Sequence, residues 1–220
     1  MKATAPYAVI GIGVIIMAFI AWWFGFRNTE TPEEPAPQEP TIELSEGLSI
    51  YTNGEHGFLL TYPEGASVAE TFNNPWLPNA WSATADPDNV GTPIVSITTY
   101  RTESDHSYPR HYTTLVRVGA SNAVASCLSA RTDRGETALP DVTWGGETFK
   151  VFSFGDAGMM RYVKGVSYRI VKGDRCYAIE QIAAGSTYRE ESSPEDIPDA
   201  TLEAQYDRLS DIVSSFQFVR

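Results

Sequence analysis

Histidine is the side chain best suited to proton transfer or metal binding near neutral pH, and the chain contains His56, His106 and His111. The last two share the segment 104–111 with Asp105, so this segment contains potential metal-ligand atoms. The two imidazoles are five positions apart with a proline between them, which gives them no common face, and no cysteine is close enough to complete a zinc set. We therefore interpret the segment as a solvated loop and expect no metal ion and no cofactor.

Motifs of nucleophilic and phosphate chemistry are missing from the sequence. It contains neither Gly-x-Ser-x-Gly, Ser-x-x-Lys nor His-Glu-x-x-His, and no G-x-x-x-x-G-K occurs. Paired acids at 190–191 and 195–196 flank a serine- and proline-containing stretch, where we read them as solvated charge, because glycosidase carboxylates need rigid mounting. We predict that the chain is not an enzyme, with a hydrolase whose active site is scattered as an alternative.

Aromatic and polar side chains in two loops are the candidates for a binding site. Trp76 and Trp81 lie in a segment rich in Pro and Asn, where exposed indoles would stack on a sugar or an apolar peptide. The alternative, which we favour, is that they cover an edge of the core, since large aromatic side chains are mostly buried. With His106, Tyr108 and His111 they form a binding site only if the two loops converge.

A local basic set within an acidic chain is a second candidate surface. It consists of Arg161, Lys164, Arg169, Lys172 and Arg175. Such a set can steer an acidic partner. The favoured alternative is ordinary strand-surface charge, because alternation places Arg169 opposite the inward pair Tyr168 and Ile170.

Cys127 and Cys176 are the only cysteines, and they do not form a C-x-x-C pair. Outside the cytoplasm oxidation is permitted, so we predict a disulfide between them. The two cysteines are 49 positions apart. A disulfide that closes a loop of this length would stabilise the fold by about 4 kcal/mol, because it reduces the chain entropy of the unfolded state. Two buried free thiols are the alternative.

The N-terminal segment is predicted to be a membrane anchor. Residues 3–26 carry no ionisable side chain, lie between Lys2 and Arg27, and end near Trp22 and Trp23. The length spans a hydrocarbon core, and indoles are typical of the headgroup level. A cleaved signal peptide is the alternative, but bulky rings occupy the positions where signal peptidase requires small residues. We expect residues 1–27 to be a single-pass anchor with the N-terminus cytoplasmic and the C-terminal part extracytoplasmic.

Residues 28–47 read as a flexible linker, because they hold four prolines and six glutamates and almost no large apolar side chain. The net charge of the whole chain is −12, and an acidic domain is repelled by nucleic acid. We therefore expect an envelope protein as partner and no nucleic acid.

The folded domain is predicted over 48–220 as α+β, with an antiparallel sheet built from hairpins. Turn signals lie at Asn53-Gly54, Gly145-Gly146 and Lys172-Gly173-Asp174, each between runs of strand-forming residues. Further strands are predicted over residues 66–72, 93–101 and 112–118.

Two helices are predicted to pack on this sheet. Ser121 is expected to cap a short helix whose apolar face comprises Val124, Cys127 and Leu128. A longer amphipathic helix follows, with Asp199 as its expected cap. Its apolar residues are Leu202, Tyr206, Leu209, Val213 and Phe216.

Both ends of the domain resemble a known family. The stretch 51–58, with Tyr62-Pro63 closing the next strand, and the ending 212–218 (Ile-Val-Ser-Ser-Phe-Gln-Phe) are similar to PsbP-like exported bacterial domains. The resemblance implies a hairpin at the start, a helix leading into a last strand, and a non-enzymatic accessory role.

These observations favour a non-catalytic, membrane-tethered extracytoplasmic domain that binds or helps to assemble a cell-envelope partner. A structural subunit recruited into a membrane complex through its transmembrane helix is the alternative, although Gly11 and Gly13 are not a G-x-x-x-G pair.

Overall fold

The computed structural model of the chain describes residues 46–74, 77–84, 90–102, 112–158, 161–186 and 197–219. All of these residues belong to the second of the two units into which the chain divides, Met1–Glu43 and Leu44–Arg220. No helix within the described ranges is long and apolar enough to cross a membrane. The predicted anchor, residues 3–26, lies outside the described residues, so the membrane span stays a prediction.

Two antiparallel sheets organise the described part of the chain. Its strands are β1 (Leu48–Asn53), β2 (Phe58–Pro63), β3 (Ser67–Ala69), β4 (Thr92–Arg101), β5 (Tyr112–Ser121), β6 (Thr137–Trp144), β7 (Glu147–Gly158), β8 (Arg161–Lys172), β9 (Arg175–Ser186) and β10 (Gln217–Phe218). A small sheet has the order β1-β2-β10, and a large sheet has the order β3-β4-β5-β9-β8-β7-β6. Every neighbouring pair is antiparallel.

The hairpins turn where the glycine signals predict. In β1–β2, Asn53 Oδ1 accepts a hydrogen bond from the His56 amide at 2.9 Å. Gly57 then adopts φ of 61°, a left-handed conformation that costs glycine little. The β6–β7 hairpin turns at Gly145 and Gly146 and the β8–β9 hairpin at Gly173, all with positive φ. The predicted hairpin organisation is confirmed.

The helices are α1 (Val124–Cys127), α2 (Asp199–Asp207) and α3 (Leu209–Ser214), with a 3₁₀ turn at Thr132–Arg134. The α+β class is confirmed, with two sheets in place of the single sheet expected.

The long C-terminal helix predicted from periodicity is two helices that meet at Arg208. At the break, Gln181 Nε2 donates to the Tyr206 carbonyl at 3.1 Å, and Ser210 Oγ donates to the Asp207 carbonyl at 2.6 Å. Side chains therefore hold carbonyl oxygens that a continuous helix would pair with main-chain amides, which is a known cause of kinks. The expected cap is also shifted by one residue, because Pro198 is the N-cap of α2.

The expectations for the short helix need correction. Ala123, not Ser121, is the N-cap of α1, and Ser121 ends β5, where its hydroxyl oxygen accepts from the Ala123 amide at 3.1 Å. Of the predicted apolar face only Cys127 is buried, while Val124 and Leu128 are 36% and 45% exposed. The strand expected over 66–72 is also shorter, since β3 has only three residues.

One face of the large sheet, which we call the helix face, packs against α3 and the small sheet. Helix α3 contacts β2, β5 and β9. The ring of Phe216 lies 5.0 Å from that of Phe58 and 6.1 Å from that of Phe149 between centroids. Ser215 Oγ accepts from the Thr61 amide at 2.8 Å and so attaches the end of α3 to β2. This layer is built almost entirely from apolar side chains.

The opposite face of the large sheet, which we call the loop face, lies beneath the segment 77–84. Ser82 Oγ and the Ala83 amide both donate to the Glu180 carboxylate on β9, each at 3.0 Å. At its edge a disulfide joins Cys127 of α1 to Cys176 of β9, with the two Cα atoms 5.6 Å apart. The predicted disulfide is therefore confirmed.

Candidate binding surface

Tyrosines gather at one end of the helix face, where β5 begins and β9 ends. Tyr112 of β5 and Tyr162 of β8 both pair with Gly185 of β9, so the two rings flank a position without a side chain. Tyr100 of β4 lies beside Tyr112, with ring centroids 6.0 Å apart. Three strands, β4, β5 and β8, therefore present aromatic rings around a position of β9 that has no side chain.

Polar contacts hold helix α2 on this end of the sheet. Tyr112 Oη donates to the Leu202 carbonyl at 2.7 Å, and Gln181 Nε2 holds the Tyr206 carbonyl. None of the residues of α2 is fully buried, so the helix rests on the sheet without entering the core. Tyr206 itself stays half-buried beside Lys164.

We call Tyr100, Tyr162, Lys164 and Tyr206 the tyrosine surface, with Tyr112 buried beneath it. Two phenols of this region, those of Tyr112 and Tyr206, have raised pKa values. Burial raises the pKa of Tyr112, and the neighbouring Tyr162, Tyr206 and Tyr100 raise it further. Burial also raises the pKa of Tyr206, with smaller contributions from Tyr168 and Asp207. These hydroxyls therefore donate and accept hydrogen bonds and do not act as bases at neutral pH, which suits recognition rather than acid–base catalysis.

Lys164 gives the surface a positive charge. Its ammonium lies 5.2 Å from the centre of the Tyr206 ring, within cation–π range. By contrast, Lys150 is paired with Asp141 at 2.8 Å, and Lys172 is paired with Glu147. Among the described residues no carboxylate lies within ion-pair distance of Lys164, so this exposed charge is available to a partner.

The predicted loop residues His106, Tyr108 and His111 lie outside the described residues, as does Trp76. In sequence the first three lie between β4 and β5. The described residues at the two ends of that stretch are joined by a hydrogen bond of 2.8 Å from the Tyr112 amide to Thr102 Oγ1. The two ends of that stretch therefore lie next to the tyrosine surface, and the part of these residues in binding stays a prediction.

Trp81 belongs to the core, in agreement with the interpretation that it covers an edge of the core and is not exposed for binding. It is 4% exposed and packs against Gly91 and Gly119, where an added Cβ would come within 2.5 Å of its atoms. Its ring faces the Arg169 guanidinium, whose carbon lies 5.3 Å from the ring centre. Trp81 is therefore not an exposed stacking platform.

Charged side chains are buried on the loop face, which sequence reasoning did not anticipate. Glu180 of β9 is fully buried and accepts from Arg117 Nε at 2.6 Å. Arg117, which is 1% exposed, also donates from Nη1 to the Pro78 carbonyl at 3.1 Å and covers the Phe72 ring at 4.6 Å. This pair fixes the segment 77–84 to the centre of the sheet.

A second buried pair joins Arg169 to Glu136. Arg169 also donates from Nη2 to Ser82 Oγ at 3.2 Å, and Glu136 accepts from the Arg131 amide at 2.7 Å. The interpretation of Arg169 as strand-surface charge is wrong, because the strand face opposite Tyr168 is covered and not solvated. We call Arg117, Glu180, Arg169 and Glu136 the ion-pair layer.

The sequence does carry one signal for this layer. Arg117 and Glu180 are each the one charged residue in a mainly apolar strand segment, Leu115–Val118 and Ala178–Ile182, the second of which also contains Gln181. Strands in the middle of a sheet that are covered on both faces read as continuous apolar runs, so a single charge within such a run indicates a buried, paired group.

The rest of the predicted basic set divides between the two ends of β8 and β9. Arg161 and Lys164 lie near the tyrosine surface, and Lys172 and Arg175 flank the β8–β9 turn. The five residues therefore form no single basic surface. Among the described residues no group of three or more His, Cys, Asp or Glu side chains is arranged to hold a metal ion.

Comparisons with known proteins give a weak likeness to a solved structure. No protein-family model matches the chain, and no curated protein matches it in sequence. The chain is similar to the solution structure of cyanobacterial PsbP (CyanoP) from Synechocystis sp. PCC 6803, at 12% sequence identity and a TM-score of 0.39. The match covers 82% of this chain and 99% of the other. This weak likeness is consistent with the weak resemblance to PsbP-like domains that the sequence suggests.

Proposed function

We propose that the chain is a membrane-tethered, non-catalytic extracytoplasmic domain that binds or helps to assemble a cell-envelope partner through the tyrosine surface. The observation that carries the proposal is an exposed lysine without an acidic partner among the described residues, set among half-buried phenols. Tyrosine provides large contact area and a hydrogen-bonding hydroxyl at a small entropic cost, which is why it is enriched at interfaces.

The predicted anchor and linker support the tethering part of the proposal. An apolar segment at 3–26 would hold the chain at a bilayer, and the acidic, proline-rich linker would allow the domain to reach a neighbouring envelope protein. At such a surface the partner is already confined near the domain, so modest affinity is sufficient.

Co-purification tests the binding role. The full-length chain, tagged at its C-terminus, would be solubilised from its native membrane with mild detergent and its partners identified by mass spectrometry. Lys164→Ala is expected to reduce recovery of a specific partner about tenfold, whereas Lys150→Ala, which removes an exposed lysine already paired with Asp141, should leave it unchanged.

Equal recovery with both variants would contradict a role for the tyrosine surface. A partner that is retained by every surface variant but lost when residues 3–26 are replaced by an unrelated membrane span would instead favour recruitment through the transmembrane helix.

A separate experiment addresses the predicted topology. A reporter that is active only in the cytoplasm, fused after Arg220, should give no activity in intact cells. Reporter activity would place the domain on the cytoplasmic side and would contradict the extracytoplasmic location.

A further inference from the structure

Three polar side chains meet at the far end of β9 from the tyrosine surface. His56, in the β1–β2 turn, places Nδ1 3.3 Å from Tyr177 Oη and 3.4 Å from Arg175 Nη1. Arg175 and Gly185 are ten positions apart along β9, which separates this cluster from the tyrosine surface by about 30 Å at the usual rise of a strand.

Surrounding contacts fix the positions of the three groups. The Asn53 side chain accepts from the His56 amide and so shapes the turn that carries the imidazole. The Tyr177 ring packs edge-on against the imidazole of His56 at 5.8 Å and against the Phe218 ring at 5.3 Å, between centroids. Tyr177 is 6% exposed and His56 is half-buried, so packed aromatic rings fix the directions of the tyrosine hydroxyl and the imidazole beside the half-buried Arg175.

The cluster contains more donors than acceptors. A guanidinium only donates hydrogen bonds, so its contact requires an unprotonated Nδ1 on His56. That nitrogen has one lone pair in the ring plane, yet both Arg175 and the Tyr177 hydroxyl approach it, and both distances exceed the usual range of about 2.7–3.2 Å. Nδ1 therefore cannot accept a full hydrogen bond from both groups, and one of the two donors can turn to another acceptor.

Electrostatic conditions at His56 keep the imidazole neutral. Burial lowers the pKa of His56, Glu55 opposes this change, and Arg175 lowers the pKa further. Glu55 and Asp174 are exposed, and neither lies within ion-pair distance of Arg175, although both influence Tyr177. Lys172, the other cation here, is paired with Glu147. Arg175 is thus the cation of this cluster without a carboxylate among the described residues.

We propose that Arg175 and Tyr177, positioned by His56, form a binding site for a single carboxylate of an acidic protein segment. One carboxylate oxygen would accept from the guanidinium and the other from the Tyr177 hydroxyl, which supplies the acceptor that the cluster lacks. This site is distinct from the tyrosine surface and does not depend on the function proposed for it.

A carboxylate fits this site better than a phosphate group. Arg175 is the single unpaired cation, and the exposed carboxylates of Glu55 and Asp174 lie near it. The single charge of a carboxylate is matched by the one guanidinium, whereas a phosphate dianion carries a second charge that the two carboxylates repel.

Titration with acetate, followed by NMR of the full-length chain in detergent micelles with labelled histidine, tests the proposal. His56→Gln assigns the His56 signals. At neutral pH and constant ionic strength, acetate should shift these signals saturably, while acetamide, an uncharged analogue of the same shape, should not. Phosphate should bind several-fold more weakly than acetate.

Matched variants locate the site. Arg175→Met, which keeps an apolar stem but removes every donor, should weaken acetate binding about tenfold, and Tyr177→Phe should weaken it about threefold. Arg208→Met is the control, because Arg208 is exposed and has no ion pair with a described residue. Unchanged unfolding midpoints in urea would show that the variants fold.

Three outcomes would overturn the proposal. Absence of a saturable shift with acetate would remove the site. Equal shifts with acetamide or tighter binding of phosphate would contradict the assigned ligand class, and equal weakening in Arg208→Met would show a general effect of charge.

Discussion

The ion-pair layer and the tyrosine surface both contain basic side chains of the same large sheet. In the first region these side chains are buried and paired with carboxylates, and in the second the lysine is exposed and has no carboxylate partner among the described residues. In the ion-pair layer, Arg117 and Arg169 are almost completely buried and each meets a buried carboxylate. On the tyrosine surface, Lys164 is exposed and meets only an aromatic ring among the described residues. Charge that is neutralised internally holds the fold together, and charge left without an acidic partner is available for binding.

This comparison predicts the largest loss of stability in the ion-pair layer. Glu180→Ala leaves Arg117 buried without its carboxylate and removes the acceptor of the Ala83 amide, so it should lower the free energy of unfolding by about 3–5 kcal/mol. Urea denaturation measures the change. Asp141→Ala, which breaks the exposed pair with Lys150, is the control and should cost less than about 1 kcal/mol. Similar losses in the two variants would contradict the distinction.

Replacement of the disulfide should have the next largest effect. Cys127 and Cys176 close a loop of 49 residues beside Trp81, so the paired replacement of both by Ala should destabilise the domain by about 2–4 kcal/mol. The intact protein should also gain the mass of two protons and two electrons on reduction. An unchanged mass in protein recovered from its native membrane would argue against the bond there and against the extracytoplasmic location.

Variants of the tyrosine surface should show the reverse pattern. Tyr162→Ala is expected to change the free energy of unfolding by less than about 1 kcal/mol, because the side chain is only half-buried, but to reduce partner recovery as strongly as Lys164→Ala does. Parallel measurement of unfolding and co-purification separates the two effects. Loss of folding in Tyr162→Ala would assign this residue to the scaffold.

The smallest expected effect is a dependence of stability on pH through His56. Because the pKa of His56 is lowered in the folded state, the unfolded chain binds a proton first as the pH falls below about 6.5. The contribution of His56 to the free energy of unfolding is therefore fully present above that pH and declines below it. His56→Gln should make the decline between neutral pH and pH 5 shallower in urea titrations, and an unchanged slope would exclude this contribution.

Local sequence signals were sufficient for the hairpins. Asn53 with the glycines that follow it, and Gly145-Gly146 between strand-forming runs, specify turns through backbone geometry that does not depend on the rest of the fold. The disulfide also followed from the cysteine count once an extracytoplasmic location was assumed.

Features that depend on tertiary contacts were not accessible in the same way. Alternation placed Arg169 on the face opposite Tyr168, but it could not show that segment 77–84 covers that face. Periodicity likewise predicted a continuous helix across Arg208, since the side chain of Gln181 that meets the Tyr206 carbonyl is 25 residues away in sequence. The tyrosine surface was missed because its members come from two strands and a helix, and no local pattern joins them.

Site-specific photocrosslinking in intact membranes tests the central claim most directly. A benzoylphenylalanine residue would replace Tyr162 on the tyrosine surface or, as a control, Leu139, an exposed apolar residue on the edge strand β6. We predict a discrete crosslinked product from position 162 that is lost when Lys164→Glu is added, and none from position 139. No product from position 162, or equal products from both positions, would contradict the assignment of the tyrosine surface as the binding surface.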